Sequence, residues 1–427
     1  MTFPIPGPRP GIVRVRPTTL LRAAVIATLA AMVAVPARAA DPETAMVSRT
    51  SGGDPADAYS YEPSISEDGR FVAFTSEAEN LGGRAGYWNV FLRDRDTGET
   101  TLVSHVGGEP ADGNSYQAAI SGNGRYVAFA SDATDLGGGG GYWHVYVYDH
   151  TTGEIRTVTV QADGNSYAPS ISRTGRFVAL YTDAQNLSRT RATLNVYVHD
   201  RDSGRIRLAS KSSGGRAANG NSYEPAISAN GRVVGFTSRA TKLASTRATW
   251  YVFAHNRRTR KTVLVSRNTR RRAANGSSYE PSLSATGRFV AFYSGADNLG
   301  GDPAYLNVFV RDRRHGRTRL ASRTSDGAPA DGDSYQPSIS ADGRSVAFSS
   351  VADNLGGMTG EWDVFVRDRP AKDTSLISQG SDGTPGDDIS WRPSISGDGL
   401  FVAFESYAPN MGAEGGLSHL FVRGPLG

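Results

Sequence analysis

The sequence predicts an all-β chain: a seven-bladed propeller of four-stranded antiparallel blades. Three observations lead there. The stretch Tyr61–Ser104, YEPSISEDGRFVAFTSEAENLGGRAGYWNVFLRDRDTGETTLVS, returns six more times. The residue ahead of each SIS-like tripeptide falls at Pro63, Ala118, Pro169, Pro225, Pro281, Pro337 and Pro393, with spacings of 55, 51, 56, 56, 56 and 56 residues. Repeats of this number and length mark stacked blades. No stretch keeps a helical hydrophobic period.

Each unit supplies four strands. The first, at 63–66 (PSIS), opens on a proline, which a strand start tolerates because the missing N–H is not needed there. The second, Phe71–Phe74, is apolar at every position and needs both faces covered, which blade-on-blade stacking provides. The third is Val90–Leu92 and the fourth Thr101–Ser104. A glycine follows the first strand in every unit, as in Asp68-Gly69, where a tight hairpin demands positive φ. The last unit stops after its third strand, Leu420–Arg423, while residues 43–53 (ETAMVSRTSGG) align with 99–108 (ETTLVSHVGG). Thr44–Ser48 is therefore expected to complete the blade begun by Trp391 and close the ring, removing two edges open to aggregation.

Residues 1–39 read as a signal peptide: Arg9, Arg14, Arg16 and Arg22 precede an apolar run, Ala23–Val35, and Ala37-Arg38-Ala39 fits a cleavage site. Residues 40–427 are then one propeller domain. The chain has 46 basic and 42 acidic residues, and residues 1–39 hold five arginines and no acid, so the remainder carries 41 against 42. A net charge of −1 gives no reason to expect nucleic acid as a partner. Without cysteine there is no disulfide, no thiolate nucleophile and no lipid-anchor cysteine.

The pattern PSIS-x-DGR-FVAF-x-S followed by VFVRDR-x-TG resembles the WD40-like (PD40), TolB-type propeller repeats of secreted and periplasmic bacterial proteins. The resemblance covers all seven units. It implies a binding or scaffold module, or a propeller gating a peptidase in prolyl-oligopeptidase-like enzymes. No G-x-S-x-G elbow is present to support the latter. Similar repeats carry an Asp-rich calcium loop before the third strand. Here the acidic ligands are largely gone; Asp302, Glu361 and Asp363 are leftovers, too few for a six- to eight-oxygen site.

Among the seven histidines only His144 with His419 and His199 with His255 share a repeat position, and all are read as solvated turn or strand-end residues. Paired carboxylates stay open, because a propeller brings distant blades together at its channel. The second-to-third-strand loops and the blade-to-blade connections share one face, and long loops on a rigid scaffold are where binding resides. That face carries Trp88, Trp143, Trp250 and Trp362 before the third strands, and an aromatic at every first-strand entry, Tyr61, Tyr116, Tyr167, Tyr223, Tyr279, Tyr335 and Trp391. These are either stacking platforms or inter-blade packing. Between Ser188 and Arg272 lie 19 basic residues and three acids, Asp200, Asp202 and Glu224, a sector of +16. Codon bias accounts for arginine over lysine but not for missing acids. Arg189, Arg191, Arg247, Arg270, Arg271 and Arg272 are therefore candidates for contact with an anionic partner.

The preferred expectation is an exported, monomeric, non-enzymatic binding or scaffold module, free or cell-envelope associated. It would recognise an extracellular protein, a glycan or an anionic wall polymer through its long-loop face, with no cofactor and no metal. The alternatives are an extracellular hydrolase or lyase with a channel-mouth site, favoured by carboxylates gathered there, and a carbohydrate-binding propeller.

Overall fold

A computed structural model describes residues 41–426 apart from 140, 188–191, 245–248 and 414. It shows seven four-stranded antiparallel sheets. Blade 1 comprises Ser60–Ile65, Phe71–Ser76, Asn89–Asp94 and Glu99–Leu102, and the other blades repeat it. Among the described residues the helical segments are three single 3-10 turns, Asp297–Leu299, Asp353–Leu355 and Pro409–Met411.

The ring closes as expected. Glu43–Met46 pairs antiparallel with His419–Gly424, in register Thr44 with Arg423 and Met46 with Phe421. The Arg423 guanidinium donates to Thr44 Oγ1 (2.8 Å) and the Leu420 N–H to Ser48 Oγ (3.0 Å). Fourth strands end two residues earlier than expected. The Ser104 hydroxyl accepts the Val90 N–H at 3.0 Å, so a side chain takes over from the ladder where Val103 would otherwise extend it.

Second and third strands are buried on both sides: Phe74, Phe91 and their counterparts are fully enclosed between blades. At the first hairpin, Gly69 has φ 75°, and a Cβ there would lie 2.2 Å from the Phe401 ring of blade 7. That position needs glycine both for its backbone and for the close fit of the next blade.

First strands form the channel wall, and their inner edges are satisfied between blades. At one end a chain of backbone hydrogen bonds includes Arg173 N to Ala229 O, Ala285 N to Ala341 O, Ala341 N to Gly397 O and Asp398 N to Glu67 O. One level in, Ser64 Oγ accepts the Ile120 N–H and Ser394 Oγ the Ile65 N–H. The hydroxyls of the first-strand serines also bond across to the second strand, as Ser60 to Ser76 and Ser390 to Ser406. The recurring serines are thus blade architecture, and no nucleophile is needed to explain them.

Candidate active site

First strands begin three residues earlier than expected, and their register breaks between Tyr61 and Ser64. Inside that break each blade places one residue at positive φ: Glu62, Gln117, Ala168, Glu224, Glu280, Gln336 and Arg392, with φ between 45° and 56°. Six of the seven precede a proline, where left-handed backbone is locally disfavoured. The tertiary ring overrides that preference. The Ala168 N–H donates to Gln117 Oε1 (2.8 Å), the Glu280 N–H to Glu224 Oε2 (3.0 Å) and the Arg392 N–H to Gln336 Oε1 (3.1 Å). In these three contacts the side chain accepts from the backbone of the next blade. Arg392 has no acceptor to offer, and Glu405, on the adjacent second strand of blade 7, accepts the Glu62 N–H in its place. Glu62, Gln117, Ala168, Glu280, Gln336 and Arg392 wall a cavity of about 370 Å³ at the long-loop end of the channel, with Glu224 and Glu405 behind that wall.

The ring is acidic: Glu405, Glu62 and Glu280 surround one guanidinium, Arg392, and Glu224 stands beside Glu280. Arg392 Nη1 pairs with the buried Glu405 Oε1 at 3.2 Å. Burial raises the Glu405 carboxyl above its usual range, opposed by Arg392, the Glu62 N–H and the Trp391 indole. Burial also raises Glu62, against Arg392 and the Gln117 N–H. Glu224 is raised by burial and held back by bonds from the Glu280 N–H and from the Thr237 hydroxyl (2.8 Å). Glu280 moves furthest, to about 7: burial lifts it first, the neighbouring Glu224 charge adds to that, and Arg392 only partly opposes. Glu224 and Glu280 are thus neighbouring carboxyls in unlike environments, one of them shifted close to neutrality, the kind of arrangement from which acid–base pairs are built.

Around the mouth runs an aromatic belt. The N–H that opens each first strand donates to the carbonyl just before the third strand of the preceding blade, as Ser115 to Trp88 (2.8 Å) and Ser166 to Trp143 (2.8 Å). That bond sets the loop aromatics beside the entry tyrosines. Trp88, Tyr116, Trp143 and Tyr167 follow one another with centroid separations of 5.7, 4.7 and 6.1 Å. Tyr223 and Trp250 lie 4.8 Å apart, and Tyr335 and Trp362 4.3 Å. Where the third-strand loop carries Leu194 or Leu306, Tyr181 and Tyr293 on the second strand fill the gap. Trp391 donates its indole N–H to Glu405 and so ties the belt to the ring. Trp88, 42 % exposed, is the most open of the tryptophans.

All five expected tryptophans thus join one feature. Arg270, Arg271 and Arg272 sit exposed on the hairpin connecting blades 4 and 5 and make no contact with the ring. Arg189, Arg191 and Arg247 lie outside the described residues. The expectation for the histidines needs correction. His144, His255 and His419 are buried on third strands, bonded to the Thr159 carbonyl (3.1 Å), Thr262 Oγ1 (2.9 Å) and Ser48 Oγ (3.3 Å). The strand interior, which periodicity alone did not assign to them, encloses them. The ring itself was missed, although its signal is present: one column, between the aromatic and the proline, changes from blade to blade inside a constant frame.

Fold and mouth together define a closed propeller with a carboxylate-bearing channel entrance. The oligogalacturonate lyase of Vibrio parahaemolyticus superposes over 90% of this chain and 96% of its own, with TM-score 0.57 and 13% identity. An oligogalacturonate lyase in complex with manganese matches over 87% of this chain and 90% of its own (TM-score 0.55, 13% identity). A putative TolB from Agrobacterium tumefaciens matches over 65% of this chain and 87% of its own, with TM-score 0.42 and 17% identity. Neither a family model nor a curated protein matches the sequence. At these identities the lyase likeness establishes the propeller fold. The preference for a non-enzymatic scaffold is nevertheless overturned. The lyase matches are enzymes on this architecture, and the carboxylates that would favour the enzyme alternative are gathered at the channel mouth.

Proposed function

We propose that the protein is an exported enzyme, a hydrolase or lyase, that cleaves an extracellular polysaccharide at the channel mouth. The observation that carries this reading is the Glu280–Glu224 pair: a carboxyl titrating at about 7 beside a second carboxylate held by two donors. In hydrolysis, protonated Glu280 gives its proton to the glycosidic oxygen as the C–O bond breaks. Glu224 in its ionised form takes a proton from the attacking water or stabilises the developing positive charge. The aromatic belt supplies apolar faces on which sugar rings stack. Four carboxyl groups against one guanidinium repel a polyanion, so a neutral glycan is the better substrate. The lyase reading is supported by the oligogalacturonate lyase matches and by Arg392, which could hold a uronate carboxylate. One of those lyases was solved with manganese. Among the described residues here no group of three or more His, Cys, Asp or Glu is placed to hold a metal ion, and the ring contains no histidine. The mouth does not fit such an ion, and no step is routed through one.

The test is to incubate the purified protein with neutral and uronic polysaccharides and follow reducing ends and unsaturated product. Reducing ends without unsaturation indicate the hydrolase, unsaturated product the lyase. Turnover of neither, or full turnover by Glu280→Gln, overturns the proposal.

A further inference from the structure

Away from the channel, a groove of about 340 Å³ runs between blades 3 and 4 along their outer strands. Arg205 and Arg207 from the fourth strand of blade 3, Lys211 from the connection after it, and Arg257 and Arg260 from the third-to-fourth turn of blade 4 converge on it. Arg257 is engaged: its guanidinium donates to the Gly231 carbonyl (2.6 Å) and lies 4.0 Å from the Phe177 ring centroid. The one carboxylate in the wall, Asp200, is bound by Arg176 at 2.9 Å. Among the described residues no ion pair joins Arg205, Arg207, Lys211 or Arg260 to a carboxylate.

One substitution in the repeat sets the floor of this groove. In blades 1 and 5 the corresponding third-strand residue is an arginine, half-buried as Arg93 and fully buried as Arg311. Arg93 and Arg311 fill the space beneath the preceding hairpin and donate to its carbonyls, at 3.0 Å to Thr50 O and 3.1 Å to Asn268 O. In blade 4 that residue is His255, which reaches only Thr262. Burial, followed by the charges of Lys211 and Arg257, depresses its pKa to about 4, so it is neutral at physiological pH. His255 thus gives the groove a neutral floor beneath a cationic rim, where the groove between blades 5 and 6 has Arg367 in its lining. Lys211 is itself depressed, by burial and then by Arg207 and Arg260, which places the cations in mutual reach. Like charges so gathered repel, and an anion between them relieves the repulsion. The equivalent groove between blades 5 and 6 repeats the cations as Arg319, Arg323, Arg369 and Lys372, but Asp326 and Asp342 stand in its wall. Between blades 4 and 5, Val263 and Gly316 occupy the positions of Arg207 and Arg260. The uncompensated set belongs to the groove between blades 3 and 4.

We propose that this groove binds a tetrahedral oxyanion, phosphate or sulfate, through Arg207, Lys211 and Arg260. The ion is either free or carried as an ester on a polymer. Titration calorimetry of the purified protein with inorganic phosphate, inorganic sulfate and poly(glycerol phosphate), with dextran as neutral control, tests it. Expected is saturable binding of at least one anionic probe that weakens with salt and falls by about tenfold or more in Lys211→Gln/Arg260→Gln. Arg260→Gln alone, on an exposed turn, should keep the wild-type melting temperature and still weaken binding. Binding of an inorganic ion assigns the site to free oxyanion, and binding of the polymer alone to esters. The proposal is overturned if no anionic probe binds the wild-type protein, or if the double variant keeps wild-type affinity.

Discussion

The Glu280 backbone N–H donates to Glu224 Oε2 at 3.0 Å, and the charge on that same Glu224 helps hold the Glu280 carboxyl at about 7. One blade-to-blade contact therefore both fixes the ring and tunes its acid. In the unfolded chain Glu280 has the usual value of 4.5. Between 4.5 and 7 the folded state binds more protons than the unfolded state, so this residue's contribution to stability falls as pH rises through that window and is level outside it. The difference amounts to at most roughly 3 kcal/mol. Glu280→Gln should flatten this dependence, be more stable than wild type at about pH 8, and show no turnover. Urea unfolding at about pH 4 and about pH 8 checks it, and an unchanged slope counts against the assignment.

Arg392 and Glu405 should behave as a unit. Arg392→Ala leaves the buried Glu405 without its cation, and removing one partner of a buried pair costs about 3 to 5 kcal/mol. Glu405→Gln keeps an oxygen for the Glu62 N–H and should cost much less. Arg392→Ala with Glu405→Gln should recover a large part of the loss of the first. A thermal-melt double-mutant cycle reads the coupling, and additive losses would show that the pair is not coupled.

The architecture was legible because it rests on local chemistry repeated seven times: glycine at the first hairpin, proline near the first-strand start and uniformly apolar second strands. The strand ends were less so. Ser104 ends its strand with a side-chain bond that resembles continuing strand in sequence, and Glu62 adopts a backbone that its following proline locally opposes. Both outcomes are set by contacts from other strands or blades. For the same reason the tryptophans could be placed on a face but not joined into a belt, since Tyr181 and Tyr293 substitute from a different strand. The ring carries no motif, because Glu62, Glu224 and Glu280 are far apart in the chain and fall in a column of the repeat that varies from blade to blade.

Trp88 offers a test of the belt separate from the ring. It is exposed, and its indole donates to Glu77 Oε1 (3.0 Å), which also accepts from the Tyr61 hydroxyl (3.2 Å). Trp88→Ala removes an exposed stacking face without opening the core. Polymer affinity should drop by about 1 to 2 kcal/mol, read as a higher KM with kcat unchanged, while the melting temperature moves little. Phe74→Ala, which empties a fully buried site, should cost about 3 to 5 kcal/mol of stability. If Trp88→Ala lowers stability and leaves KM alone, the belt is packing only.

The closure strand gives the sharpest prediction about the fold. Glu43–Met46 supplies the fourth strand of blade 7, and Val47, 2 % exposed, packs with Ile65, Val72 and Phe74 of blade 1. Deleting residues 41–49 removes a strand ladder and the buried Val47. It leaves the outer edge of His419–Gly424 unpaired, with the Arg423 guanidinium short of its Thr44 acceptor. The loss should be on the order of 5 kcal/mol, with aggregation through the open edge. Val47→Ala keeps the ladder and creates only a cavity, so it should cost about 2 kcal/mol and stay monodisperse. Thermal melts and light scattering on the two variants separate the contributions. A deletion that melts with the wild-type protein would mean that the ring is held closed by the blade-to-blade bonds at the channel, without help from the shared seventh blade.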